Sequence, residues 1–305
     1  MGRSRLPLPG VPGEPRPGER LERAGRGVHL IWRSDALRGE TPKTFFHDIT
    51  ASQHEKEITA FFGRRTKFQP GDPVVEAPVC FLLFTNRSGS NFLGDVLNST
   101  GAFCGFGEYT NCETVINHAR SWQAGSLAEY YHRLHQSHGQ GAPTFGLKVN
   151  VQQLLFLVRA GIIPGVFPQT KWIWIQRADL LGQAISLYLA QATQQWTSEQ
   201  EGNGTDVPYS FSEIASRMRG ISKNNANLAR IVGGLGLDPA VVIYEHLLRW
   251  PGATIRQVFL HLGMEPAPHK PRQMKLKRQE DERKAEFKAQ FAAELAHAIG
   301  KVPRR

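Results

Sequence analysis

Val79-Cys80-Phe81-Leu82-Leu83-Phe84-Thr85-Asn86-Arg87-Ser88-Gly89-Ser90-Asn91-Phe92-Leu93 joins an apolar run to a short basic turn and then to the start of a helix. A helix N-terminus presents unpaired backbone N–H groups and the positive end of the helix dipole. Arg87 adds a full charge, the hydroxyls of Ser88 and Ser90 can donate, and Gly89 lets the backbone approach a ligand closely. The stretch therefore reads as an anion cradle, with Arg87, Ser88, Gly89, Ser90 and Asn91 as its candidate contacts. It lacks Gly-x-x-x-x-Gly-Lys-Ser/Thr, so the turn supplies neither the lysine that reaches a triphosphate nor the hydroxyl that holds magnesium. A metal-dependent NTPase is disfavoured, and no metal site is expected.

Outward from this turn the pattern alternates between strands and helices, which points to an α/β fold with a mainly parallel sheet flanked by helices. The apolar runs Val79 to Phe84, Trp172 to Ile175 and Val241 to Tyr244 read as strands buried on both faces, and Thr144 to Leu147 reads as another. Helix starts are marked at Asn91, at Ser126 and Ser210 with Glu129 and Glu213 completing capping boxes, and at Asn150 and Asp179. Gly161 and Gly263 stand where C-terminal caps belong, and Ala285 to Ala298 reads as a last amphipathic helix. Residues 1–27, rich in Pro, Gly and Arg, read as a disordered tail, and 28–77 as an N-terminal elaboration with aromatic anchors Trp32, Phe45, Phe46, Phe61 and Phe62. Residues 78–305 form the main domain.

The chain of 305 residues carries a formal net charge of +10, which favours acidic partners: a nucleotide, an anionic surface or a nucleic acid. Three cysteines without a Cys-x-x-Cys pair suggest neither a disulfide framework nor a zinc ribbon. No apolar stretch reaches the roughly 20 residues needed to span a bilayer, and no signal-peptide core is visible. A cytoplasmic location is expected, with peripheral contact to an anionic membrane left open.

In open parallel sheets ligands bind beyond the carboxyl ends of strands, so the polar residues after each apolar run are the candidates. These are Arg87, Ser88 and Ser90 after the first run, Lys148 after Thr144 to Leu147, Arg177 and then Ser186 after Trp172 to Ile175, and Glu245 after Val241 to Tyr244. Any one of these cations alone reads more simply as a solvated strand end; their joint placement is what points to a site.

These residues resemble the bacterial sulfotransferases typified by trehalose sulfotransferase, which use 3′-phosphoadenosine 5′-phosphosulfate (PAPS). Asn86 to Ser90 resembles the family's 5′-phosphosulfate loop, with Asn91 where the family commonly has Thr. Gly101 and Glu108-Tyr109 follow at the family's distance, and the family's glutamate at this place is its catalytic base. Ile175 to Ser186 is similar to the 3′-phosphate segment, whose Arg and Ser correspond to Arg177 and Ser186, and Ala192 to Trp196 continues the likeness. Leu276-Lys277-Arg278-Gln279 resembles an Arg-Gln element that closes over the nucleotide. The match runs from about Pro78 to Phe291.

The resemblance implies a P-loop-like sulfotransferase fold and metal-free transfer of a sulfuryl group from PAPS to a hydroxyl of a glycan, glycolipid or small metabolite, releasing adenosine 3′,5′-bisphosphate. Glu108, in what reads as a Gly-rich loop after Gly105-Phe106-Gly107, would be the base, with Glu113 as fallback. Arg87 and Lys148 would stabilise developing charge, and Arg177, Ser186 and Arg278 would hold the nucleotide. The residues just before Glu108 differ from the trehalose-type pattern, which implies another acceptor. Trp196 either stacks on an acceptor sugar or packs in the core. His132, His135 and His138 decorate a polar helix face rather than bind metal, and Cys80 is inert packing. Two alternatives stay open: a nucleotide-dependent kinase of related architecture, and a non-enzymatic basic protein binding nucleic acid or anionic lipid. No nucleic-acid reading module is visible.

Overall fold

The computed structural model describes residues 46, 48–196, 206–270 and 282–300. In chain order the elements are α1 (Gln53–Phe62), a 3-10 turn (Gly63–Thr66), β1 (Val79–Leu83), α2 (Ser90–Asn98), β2 (Phe103–Gly107), α3 (Cys112–Trp122) and α4 (Leu127–His138). There follow β3 (Thr144–Val149), α5 (Val151–Arg159), the short α6 (Ile162–Gly165), β4 (Thr170–Gln176), α7 (Leu180–Thr193) and α8 (Phe211–Gly234). The described chain closes with β5 (Ala240–Ile243), α9 (Tyr244–Arg249), α10 (Pro251–His261) and α11 (Glu282–Gly300).

The five strands form one parallel sheet in the order β2-β3-β1-β4-β5. β1 is central, flanked by β3 and β4, and every one of its residues is buried. This accounts for its unbroken apolar run, since a strand covered by helices on both faces has no water-facing side. Val79, Phe81 and Leu83 point to one core with α3, α4, α5 and the end of α8. Cys80, Leu82 and Phe84 point to the other, with α2 and α10. Ile49, Ile58, Phe62 and Val75 join the first core, so α1 and its flanks pack onto the sheet's helical layer. A third cluster joins α7, α8 and α11 through Ile185, Ile214, Phe287 and Phe291.

Several expectations are corrected by the structure. Gly105-Phe106-Gly107, read as a Gly-rich loop, is the edge strand β2, bulged at Phe106 with φ 57°. Its glycines answer to packing: a Cβ on Gly105 would lie 2.6 Å from the Phe145 ring, and one on Gly107 would lie 2.5 Å from the Tyr109 ring. β5 is also an edge, and Val241 is 55% exposed rather than buried on both faces; Tyr244 opens α9 instead of ending the strand. α2 begins at Ser90 with Gly89 as N-cap, one residue before the expected start.

Ser126, Asp179 and Ser210 cap as expected, and Asn150 with Gln153 makes a full capping box. The Glu129 carboxylate, by contrast, accepts from Gly125 N, one residue earlier than a capping box requires. Trp32, Phe45 and the 1–27 tail lie outside the described residues.

Two glycine substitutions should shift stability in opposite directions. Gly105 has φ 93° and no room for a side chain, so Gly105→Ala is expected to lose about 2–4 kcal/mol through strain and overpacking. Gly220 lies inside α8 with no atom within 4 Å of a Cβ, so Gly220→Ala should gain about 0.5–1 kcal/mol. Urea unfolding midpoints at unchanged slope measure both.

Candidate functional site

The chain leaves β1 into α2 on one face of the sheet and leaves β3 into α5 on the other. Adjacent strands whose following helices diverge leave a crevice at their carboxyl ends, and the candidate residues collect around it.

The turn after β1 is tightly held. Ser88 N donates to Thr85 O at 3.1 Å, Arg87 and Gly89 take positive φ of 62° and 93°, and Leu93 N returns to Gly89 O at 3.0 Å. Gly89 is required on two counts, its φ and the Tyr244 ring, whose Cδ2 would lie 2.2 Å from a Cβ there. The space a side chain would need is thus taken by protein rather than ligand. Gly89 as N-cap has no side chain to offer α2, so among the described residues the helix start lacks the side-chain cap that α4 and α5 have. Ser88 is fully buried, and its Oγ has no hydrogen-bond partner among the described residues. Buried Gln183 of α7 donates to Thr85 Oγ1 at 3.0 Å and Asn86 O at 2.8 Å, fixing the turn from behind.

Arg87 Nε donates to Ser186 Oγ on α7 at 3.0 Å, and its Nη1 donates to the Trp196 carbonyl. Arg177 Nη1 in turn donates to Arg87 O at 3.4 Å, so Arg87, Arg177 and Ser186 form one continuous surface. Burial, followed by repulsion from Arg177, holds the Arg87 guanidinium below its ordinary pKa. The attraction of an anion between the two guanidinium groups would offset both effects.

Arg177 lies over the Tyr244 ring at 5.1 Å and approaches Glu245 at 3.5 Å and Asp179 at 3.7 Å. The Glu245 carboxylate accepts from Ala178 N and Asp179 N at 3.0 and 3.2 Å, tying α9 to the start of α7. Trp196 as a residue is 36% exposed.

Lys148 occupies the penultimate position of β3 rather than the loop after it, because the strand extends to Val149. It is 3% exposed; its Nζ donates to Glu108 Oε1 at 2.8 Å and to Asn91 Oδ1, and stands 5.2 Å from the Phe84 ring centre. Burial pulls its pKa down, opposed by the attraction of Glu108. A cation absent from the turn itself thus reaches it from the neighbouring strand.

The loop after Glu108 is anchored residue by residue. Tyr130 Oη donates to Tyr109 O at 2.6 Å, Thr110 Oγ1 and Tyr131 Oη pair at 3.0 Å, and Gln153 Nε2 donates to Asn111 Oδ1 at 2.9 Å. Cys112 N donates to His54 Nδ1 at 3.1 Å. Sequence reasoning missed these supports, and the short-range signal extends no further than Gln153's place in the capping box of α5.

Of the predicted residues, the structure brings Arg87, Ser88, Gly89, Ser90, Asn91, Glu108, Lys148, Arg177 and Ser186 to this rim, with the Trp196 backbone beside Arg87. Arg278 lies outside the described residues. Glu113 is exposed in the first turn of α3 and makes no ion pair with the rim cations. His135 and His138 do more than decorate a polar face: His135 packs on Phe145 at 5.6 Å and His138 on Tyr109 at 5.4 Å between ring centres. Burial pushes the Cys80 thiol far up, consistent with inert packing. Among the described residues no group of three or more His, Cys, Asp or Glu could hold a metal, and no helix is long and apolar enough to cross a membrane.

Comparison with known proteins gives a family. The chain is similar to the sulfotransferase domain from the Synechococcus PCC 7002 olefin synthase, at 15% identity over 74% of this chain and 98% of that domain, with a TM-score of 0.37. It is also similar to a sulfotransferase from Alicyclobacillus acidocaldarius, at 16% identity over 81% and 91% of the two chains, with a TM-score of 0.33. A search of curated proteins returned no match. The profile of the Stf0 sulphotransferases matches residues 80–294, from inside β1 to the middle of α11. With the turn after β1, the Arg87–Ser186 contact and the Lys148–Glu108 pair all inside that span, the chain belongs to the Stf0 sulphotransferase family.

Proposed function

We propose that this sulfotransferase moves a sulfuryl group from PAPS to a hydroxyl of a glycan, glycolipid or small metabolite. The observation that carries the reading is the Arg87 bridge. One residue of the turn ahead of α2 donates to Ser186 and accepts from Arg177, so the two segments adjoin and one nucleotide phosphorylated at its 3′ and 5′ positions could touch both. The orphaned Ser88 hydroxyl and the uncapped N-terminus of α2 suit the 5′ group, and Arg177 with Ser186 suits the 3′-phosphate.

When bound, PAPS supplies the activated sulfuryl group, and adenosine 3′,5′-bisphosphate is the product. The residues supply position and charge, as in other loose in-line transfers. Glu108 takes the acceptor hydroxyl proton as the new S–O bond forms and the bond to the leaving phosphate oxygen breaks. Lys148 orients the Glu108 carboxylate; once that carboxylate is protonated, the buried ammonium turns its charge to the sulfuryl oxygens. Arg87 and the α2 N–H groups stabilise charge on the leaving side.

Three outcomes test this reading. Adenosine 3′,5′-bisphosphate should bind without magnesium and more tightly than adenosine 5′-monophosphate, and Arg177→Ala should remove about 10-fold or more of that preference by calorimetry. Equal affinity of the wild type for the two nucleotides would defeat the 3′-phosphate assignment, while magnesium-dependent ATP consumption would favour a kinase. Glu108→Gln should keep nucleotide affinity and lower turnover by about 100-fold or more in a labelled-transfer assay. Lys148→Met should likewise lower kcat by about 100-fold, with the melting temperature unchanged or raised, because a buried ion gives way to an apolar chain of similar shape. Glu108 is part exposed and tolerates losing its partner.

A further inference from the structure

The loop that joins Glu108 to α3 is held from behind by an element that precedes the span matching the family profile. Four residues after Glu108, Cys112 opens α3, and its N–H donates to His54 Nδ1 of α1 at 3.1 Å. The first N–H groups of a helix have no partner within it, and the N-cap side chain ordinarily accepts from one of them. Asn111 holds the N-cap position of α3 but makes no such bond; its Oδ1 accepts from Gln153 Nε2 of α5 at 2.9 Å instead. Asn111 N in turn donates to Glu108 O at 3.4 Å, so a short path leads from His54 through Cys112 and Asn111 to the backbone of Glu108. Of the side chains that anchor this loop, Tyr130, Tyr131 and Gln153 lie within residues 80–294, and His54 lies before them.

α1 has supports of its own besides the loop. Ser52 Oγ accepts from Glu55 N at 3.2 Å, Glu55 pairs with Arg159 of α5 at 2.5 Å, and Ile58 and Phe62 are buried in the core they share with β1. His54 therefore stands on a fixed base. A peptide N–H can only donate, so Nδ1 is the acceptor and the ring proton sits on Nε2. Cys112 Sγ lies 3.1 Å from the same nitrogen, so one ring atom meets both the backbone and the side chain of the first residue of α3. At the other end of the loop Glu108 Oε1 accepts from Lys148 Nζ at 2.8 Å. Lys148 thus holds the carboxylate, and His54 holds the chain behind it.

Resting on the reading of Glu108 as the base of sulfuryl transfer, we infer that His54 is a positioning residue for that reaction: by holding the first turn of α3 it keeps the Glu108 carboxylate in reach of both Lys148 and the acceptor hydroxyl. It acts through the 108–112 loop alone. A reacting group misplaced by about 1 Å can cost on the order of 100-fold in rate, so the support shows in turnover and not in nucleotide affinity. Asparagine is the informative replacement, because its Oδ1 branches from Cγ as the histidine Nδ1 does and keeps an acceptor at the same place. Glutamine carries its amide one atom further out and does not.

Hydrogen exchange and single-variant kinetics on the full chain test this, with labelled PAPS as donor and water as the acceptor, so that sulfate release is read directly. His54→Ala should raise the amide exchange rate of the segment 108–116 about 10-fold, the loss expected from one hydrogen bond. It should lower sulfate release about 10-fold or more while adenosine 3′,5′-bisphosphate affinity, measured by calorimetry, stays at the wild-type value. His54→Asn should recover most of both effects, and His54→Gln should not; the glutamine variant, nearer in size to histidine, stands in for alanine where the alanine variant fails to fold. In a Glu108→Gln background, His54→Ala should cost less than about 2-fold further, because a residue acting only through Glu108 has nothing left to position. Unchanged exchange in 108–116, an asparagine variant no better than alanine, or an undiminished cost in the Glu108→Gln background would overturn the inference. Failure of the wild type to bind the bisphosphate would instead remove the sulfuryl-transfer reading, while exchange in the nucleotide-free chain still judges whether His54 holds the Glu108 loop.

Discussion

A lysine ammonium that is 3% exposed must be matched by nearby oxygens or lose its proton, and the rim is arranged around this need. Lys148 draws Glu108 from the end of β2 and Asn91 from the first turn of α2 toward the penultimate position of β3. Three elements distant in sequence are thereby held at one point. The sheet makes this unavoidable: Lys148 pairs in register with Leu82, so its side chain emerges on the same face as Phe84 and α2. The charge therefore lies under the turn that follows β1, beside Asn91 and the Phe84 ring.

α7 supplies the matching constraint from the opposite side of β1. Gln183, Ser186 and Leu187 are spaced as i, i+3 and i+4, which puts them on one helical face. Gln183 fixes the turn, Ser186 accepts from Arg87, and Leu187 lines the neighbouring cleft. One helix face thus serves both the surface proposed for the nucleotide and the wall of the neighbouring cleft, and a shift of that helix would disturb both together. The N-terminus of α7 is secured by Glu245 at Ala178 N and Asp179 N and by Lys288 of α11 at Asp179, so contacts from two later helices hold its register.

Much of this was legible because it depends on short-range chemistry. The apolar run into Asn86-Arg87-Ser88-Gly89-Ser90 specifies a buried strand, a tight turn and a helix start without reference to any distant residue, and the caps at Asn150 and Asp179 are equally local. The misreadings have a common cause. Gly105 and Gly107 look like loop residues until Phe145 and Tyr109 are seen to occupy the space of their missing side chains. Val241 has the sequence of a central strand, but its position at the sheet's edge is set by strand order. The anchors behind Glu108, from His54, Tyr130, Tyr131 and Gln153, come from three different helices and leave no pattern in the chain.

By itself the sequence determined that a tight turn carrying Arg87 follows a buried strand, that the fold alternates strands and helices, and which cations end their segments near a common rim. Only the tertiary structure decided that Lys148 reaches the turn from the adjacent strand, that Arg87 links Arg177 to Ser186, and that a cleft lined by α5, α7 and α8 opens beside them. Local propensity depends on a residue and its near neighbours in the chain. Contacts between strands and helices depend on sheet order and register, which the burial of the whole apolar surface selects and no single segment encodes.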